Sequence, residues 1–190
     1  PDQEVPAIPV VQDFTPTVAV TADSTRADQL AWGRWAAGDT PSLLSLSLSA
    51  ARDGRAVTVA SPAGFILYRS EPNGARVESG LGVVKFDLNA AEAFYDSANG
   101  IVAMRLAGGN LEVDFVDNAF ATELNLDHAT TGPIDFTANG VIADGGYLLL
   151  REESKTLSGA VATDGSAAGY SFEQQLDAGR IHGITLWGAE

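Results

Sequence analysis

Glu112 and Glu123 are the first residues of this chain whose types and spacing suggest chemistry. They lie in LEVDFVDNAFATELNLD, residues 111–127, where apolar and polar residues alternate, turn, and alternate again. A turn centred on Asp117-Asn118 sets Phe115 opposite Phe120, Val113 opposite Thr122, Glu112 opposite Glu123 and Leu111 opposite Leu124. Directly opposed residues hold their Cβ atoms roughly 4.5–5.5 Å apart. A retaining glycosidase keeps its two carboxyl groups about 5–5.5 Å apart. The distance therefore permits a catalytic pair.

The surroundings do not support one. A general acid needs a pKa raised by burial or by a like charge in a cleft. The alternation puts Leu111, Val113, Phe115, Phe120, Thr122, Leu124 and Leu126 on one face and Glu112, Asp114, Glu123 and Asn125 on the other. The acids then face water, where two charges about 5 Å apart repel by only about 1 kcal/mol. Glu112, Asp114 and Glu123 read as a solvated stripe, or as an acidic patch for a cationic partner.

Other reaction classes lack their residues. No G-x-S-x-G exists; in DGSAAG, Ser166 follows its glycine directly, so no nucleophile elbow is encoded. The two histidines, His128 and His182, have no local acid–nucleophile arrangement and read as surface or seam residues. His-x-His, HExxH and DxDxDG are absent. Asp87, Asn89 and Glu92 offer oxygen ligands to a hard cation such as calcium, but Asp- and Asn-rich loops are also common without an ion. No phosphate-binding glycine loop opens a helix. The chain reads as a non-enzyme with no catalytic, cofactor or metal residues.

The elements that carry these residues are strands. SLLSLSLSA alternates Leu44, Leu46 and Leu48 with serines, the period of two that marks a half-buried strand. GFILYR, GVVKFDL, IDFTANGVI, GYLLLRE, TLSGAVA, GYSFEQQL and GRIHGITLWG follow the same logic. Asp53-Gly54, Asn99-Gly100, Asp144-Gly145-Gly146 and Asp164-Gly165 punctuate them as turns. Short strands at this spacing predict an all-β antiparallel sandwich or barrel. One segment, DLNAAEAFYDSA at 87–98, predicts a short helix or irregular loop, with Asn89 as cap and Glu92 in capping-box position.

Composition divides the chain in two. Four of the eight prolines lie within residues 1–16, and all 20 glycines lie at Gly33 or later. Residues 1–27 are expected to be an extended, Pro-rich leader or linker, and 28–190 the globular domain. The leader carries Val5, Ile8, Val10, Val11, Phe14, Val18 and Val20. An apolar extended segment of this kind suits addition to a sheet edge, its own or a neighbour's. The chain opens on Pro, and reads as processed or excised from something longer.

Charge narrows the partners. Eleven Lys+Arg against 25 Asp+Glu give 11 − 25 = −14, with no basic cluster. That excludes a nucleic-acid surface and disfavours an anionic membrane surface. There are no cysteines, which removes disulfides, thiol nucleophiles and Cys-ligated zinc. No apolar run is long enough for a transmembrane helix.

The order of these strands resembles a known family. WGRW at Trp32–Trp35 precedes GVVKFDL; GGNLEVDF then hairpins into FATELNL, and the chain closes on LSGAVATDGSAAGYSFEQQLDAGRIHGITLWG. That order resembles the C-terminal barrel region of bacterial FecR-domain proteins. The closing pattern, G-A-x-x-x-x-G-x-x-A-G-x-x-F followed by I-x-G-x-x-x-W, is similar to the small β-barrels of transferrin-binding-protein-B-like surface lipoproteins. The resemblance covers roughly residues 29–188 and rests on glycine and aromatic positions that serve the fold. No lipobox cysteine is present.

The resemblance implies a single up-and-down barrel of about eight strands, in an exported bacterial module that is periplasmic, cell-surface or extracellular. Closure removes exposed edges, so strand 29–36 is expected beside strand 180–187, with Trp32, Trp35 and Trp187 at the seam. Three functions remain open: partner recognition by the barrel surface, self-association into a filament or oligomer through the leader, and a lipocalin-like carrier. Phe65, Phe86, Phe115 and Phe136 predict a filled interior and count against the carrier.

Overall fold

The computed structural model describes residues 10–11, 29–36, 53–60, 65–72 and 74–190. Among them are thirteen strands in two sheets and no α-helix. The first sheet has four strands in the order β1-β2-β4-β3: β1 (Val10–Val11), β2 (Leu30–Ala36), β3 (Ala56–Ala60) and β4 (Phe65–Arg69). The second is the barrel. Its staves are β5 (Val83–Ser97), β7 (Arg105–Asp114), β8 (Ala119–His128), β9 (Gly132–Ala143), β10 (Tyr147–Arg151), β11 (Lys155–Val161), β12 (Ala167–Leu176) and β13 (Gly179–Ala189). A short strand, β6 (Gly100–Ala103), extends the far end of β5 as a hairpin.

Each barrel strand pairs antiparallel with the next, and β13 returns to β5 from Arg180↔Asp96 to Ala189↔Phe86. The result is a closed eight-stranded antiparallel barrel: the alternation predicts a sandwich or barrel, and the family resemblance implies the barrel of about eight strands. The seam differs from expectation. β2 does not pair with β13; it pairs with β4, Trp32 opposite Leu67, in the smaller sheet. The strand that completes the barrel is β5, whose fifteen residues are long enough to reach both neighbours.

The predicted helix at 87–98 is most of β5. It hides its strand period because its covered end is buried on both faces. Ala93 and Tyr95 join the interior core, while Phe94 belongs to a second cluster outside the barrel wall. A two-sided strand reads as a continuous apolar run. Asn89 is no helix cap; it lies where the β5–β13 register slips by one between Leu186 and Trp187, the mark of a bulge.

The interior is packed. Phe86, Leu111, Phe136, Tyr170, Phe172 and Trp187 are among its buried members. Phe136 and Phe172 lie 4.7 Å apart between ring centroids, and Tyr170 stacks on Trp187 at 5.8 Å. Gly109 makes room for that packing: a Cβ there would meet the Glu123 carbonyl oxygen at 2.6 Å and the Trp187 ring at 3.1 Å.

The small sheet lies against the outside of β11, β12, β13 and β5. Leu30, Trp32, Phe65 and Leu67 cover Ala160, Ala162, Ala167 and Ile184. The alanines matter here, because short side chains on the barrel wall let a second layer approach. Arg69, fully buried, pins the layers at one end. Its Nη1 donates to the carbonyl oxygens of Gly145 (2.7 Å) and Val161 (3.0 Å), and its Nη2 meets Glu71 Oε1 at 2.8 Å. Its guanidinium also lies 5.3 Å from the Tyr147 ring centroid.

Candidate recognition surface

The opening hairpin is β7–β8, but its register is two residues off the predicted one. Asp114 faces Ala119, Glu112 faces Ala121 and Glu123 faces Asn110. The turn explains the shift. Asp114 Oδ1 accepts from the amides of Val116 (2.8 Å) and Asp117 (3.0 Å), and Asn118 adopts a left-handed φ of 52°. The side-chain cap closes a four-residue loop, Phe115–Asn118, and moves the first cross-strand pair back to Asp114. A shift of two leaves every residue on its predicted face. Leu111, Val113, Phe120, Leu124 and Leu126 are buried, as is Thr122.

The two glutamates are therefore not opposed. Glu112 has Lys85 Nζ at 3.9 Å, both exposed, and Glu123 Oε1 accepts from Asn125 Nδ2 at 2.9 Å. Asn125 Nδ2 also reaches Asp135 Oδ1 at 3.1 Å. These are contacts of a solvated sheet face. No cleft encloses the acids, and the geometry of a retaining carboxylate pair is not assembled.

Other sequence candidates disperse. Ser166 Oγ donates to Asp164 Oδ1 at 2.6 Å within its own turn. His128 Nδ1 accepts from the Thr130 amide in the next turn, while His182 is buried between the Phe65 and Phe94 rings under the small sheet. Asp87, Asn89 and Glu92 lie along β5 rather than around a loop, with Glu92 buried. Among the described residues no group of three or more His, Asp or Glu is placed to hold a metal ion.

Trp187 is buried inside the barrel, and its Nε1 donates to Thr185 Oγ1 at 2.6 Å. Trp32 is buried against the outer wall beside it, its Nε1 donating to the Thr185 carbonyl oxygen at 2.8 Å. The Trp35 backbone pairs with Val11, and Ala36 with Val10. The leader's other apolar residues, Val5, Ile8, Phe14, Val18 and Val20, lie outside the described residues.

The residues that sequence reasoning missed are polar and internal. Thr122 Oγ1 and Tyr170 OH lie 2.8 Å apart, and Thr122 also donates to the Asn110 carbonyl oxygen. The signal was present as a lone threonine in the apolar row, where a buried hydroxyl needs a partner.

No protein-family profile matches the chain, and no curated protein sequence matches it. Solved structures do. A double mutant of transferrin binding protein B from Haemophilus parasuis superposes with a TM-score of 0.52 at 13% identity, covering 85% of this chain and 32% of that one. Transferrin binding protein B from Neisseria meningitidis gives a TM-score of 0.45 at 15% identity, over 69% and 30% of the two chains. A protein described as a surface lipoprotein gives 0.44 at 10% identity, over 94% and 82%. The fold is thus similar to that of the transferrin-binding-protein-B barrels. The chain spans about a third of the length of those transferrin-binding proteins.

Proposed function

We propose that this chain is a non-catalytic, exported recognition module that binds a protein partner on its outer surface, at the cell surface or in the periplasm. The observation that carries the reading is the filled barrel. Phe86, Phe136, Tyr170, Phe172 and Trp187 occupy the space a lipocalin-like carrier would leave for its ligand. Binding is thereby left to the outside. Along the middle of β7–β9 the outward residues Glu112, Glu123, Asn125 and Asp135 are polar, unlike the apolar belt of a lipid-embedded barrel. The likeness of fold to a transferrin-binding-protein-B barrel supports an exported setting. This comparison bears on the transferrin-binding side of the sequence resemblance and lends nothing to the FecR side.

Assembly through the leader is the second reading. Val10 and Val11 pair with the chain's own β2, which favours a module over a strand-exchanged filament.

The test is made on intact cells that produce the protein. A photo-crosslinking residue at Glu123 should yield an adduct with a second, different protein, and external protease or periplasmic release should reach the chain. A chain confined to the cytoplasm, or adducts with its own copies alone, would overturn the reading.

A further inference from the structure

We propose that one rim of the barrel is the docking surface for a protein segment presenting apolar side chains among lysines and arginines. This rests on the recognition reading above and names its surface and partner chemistry.

The β7–β8, β9–β10 and β11–β12 turns all lie at the same end of the antiparallel barrel. Just below that end, one lateral row crosses five strands by direct pairing: Val83↔Asp114, Asp114↔Ala119, Ala119↔Val141 and Val141↔Leu149. Its apolar members point outward: Val83 is 53% exposed, Val141 59% and Leu149 41%. Val116, at the tip of the adjoining turn, is 73% exposed. Single exposed valines are ordinary; here Val141 and Leu149 pair directly on neighbouring strands, with Val83 at the other end of the same row, Val116 at the turn between them and a cleft at the same rim, and such a grouping marks an interaction site.

The cleft lies behind the row. It holds about 650 Å3 and is lined by Val77, Phe115, Asn118, Ile142, Asp144 and Tyr147, with neighbouring loop residues. Of its lining, Phe115 and Asn118 lie within two residues of Val116, Ile142 follows Val141 and Tyr147 is two before Leu149, so the cleft opens at the same end of the barrel as the row. The loop forming the outer lip, 75–80, is tied down. The Glu78 amide donates to the Thr163 carbonyl oxygen at 2.7 Å, and Arg69 anchors both sides through Glu71 and Gly145.

Size and charge select the partner. Five strands set about 4.8 Å apart make the row roughly 19 Å wide, too broad for a small molecule and suited to a polypeptide. Glu78, Asp144, Asp117 and Asp114 frame it, against Arg76, while Glu112 and Lys85 pair with each other below it. A second copy of a −14 chain would bring carboxylates against carboxylates. A basic segment completes the frame, while its apolar side chains fill the cleft and cover the row.

The test is NMR titration of the 15N-labelled full chain with three synthetic peptides of equal length: lysine/leucine, lysine/serine and glutamate/leucine. The lysine/leucine peptide should give saturable shifts confined to Val83, Val116, Asn118, Val141, Tyr147 and Leu149, weakened by salt. The V141S/L149S and D117N/D144N variants should each lose about tenfold in affinity. Both pairs are exposed or in turns, and unchanged spectra outside the rim confirm their folding. Equal binding of the lysine/serine peptide, shifts scattered around the barrel, or light scattering that shows dimers abolished by V141S/L149S would overturn the proposal. The photo-crosslinking experiment separates the two readings. If both variants still form the wild-type adduct, the rim assignment fails and the recognition reading stands. If the wild type forms none, both fail.

Discussion

Trp32 donates its indole N–H to the carbonyl oxygen of Thr185, 2.8 Å away across 153 positions of sequence. The bond joins the small sheet to the outer wall of the barrel. Thr185 works on both sides of that wall, since its Oγ1 accepts from Trp187 Nε1 inside. One residue of β13 thus ties together the two tryptophans that flank it.

Replacing Trp32 by Phe keeps most of the apolar volume and removes the donor. Losing one such buried hydrogen bond costs about 0.5–1.5 kcal/mol. In urea unfolding the midpoint should fall with an unchanged slope, the sign of a stability change without altered compactness. Hydrogen exchange should rise first at Phe65–Arg69, the strand beside Trp32. A midpoint equal to wild type would show that the bond contributes nothing to holding the sheet.

Arg69 should be less replaceable. Its fork serves the carbonyl oxygens of Gly145 and Val161 and the Glu71 carboxylate at once. A lysine brings one point charge and cannot span these acceptors. Arg69→Lys and Arg69→Met should both destabilise, by about 3 kcal/mol or more, as buried pairs do when one partner is removed. Limited proteolysis should then cut within 71–80 before the barrel unfolds. Full rescue by lysine would mean that charge, not geometry, holds this corner.

Tyr170 gives the chain an alkaline signature. Burial among Trp187 and Phe172 holds its hydroxyl well above the usual tyrosine range, against the lowering pull of Thr122 and Thr185. The folded pKa exceeds the unfolded one, about 10. Its contribution is therefore fully present below about pH 10 and is lost as pH rises toward the folded value. Absorbance of tyrosinate should show one tyrosine that ionises only as the protein unfolds. In Tyr170→Phe that late step should vanish. A Tyr170 that titrates with the native fold intact would contradict the buried Thr122–Tyr170 pair.

The barrel was legible because most of its strands have one wet face. In β8 the buried residues Phe120, Thr122, Leu124 and Leu126 alternate without a break, so period alone locates them. Where both faces are covered, the period disappears: AAEAFY in β5 looks helical because the small sheet buries Phe94 on the outside. The seam was misplaced for the same reason. Two separate sheets both show alternation, and nothing local says that β2 lies on the wall rather than in it. The hairpin register failed by two because the Asp114 cap is a side-chain choice that the apolar pattern does not report. The cleft at the rim was invisible, being made of loops whose meeting depends on Arg69, 76 positions from Gly145.

The paired glutamates admit a last test that separates a solvated stripe from a worked site. Glu112 and Glu123 face Ala121 and Asn110 rather than each other, and their partners are Lys85 and Asn125. Exposed pairs of this kind are worth about 0–1 kcal/mol. The double variant Glu112→Gln, Glu123→Gln should therefore unfold within about 0.5 kcal/mol of wild type. Because the pair lies on the outer face below the rim, it should also lower affinity for a lysine/leucine peptide less than D117N/D144N does. Charge acting at a distance is screened over about 10 Å at ordinary salt, whereas the rim carboxylates touch the bound segment. A larger loss from the glutamates than from the rim aspartates would move the recognition surface down the barrel to the stripe itself.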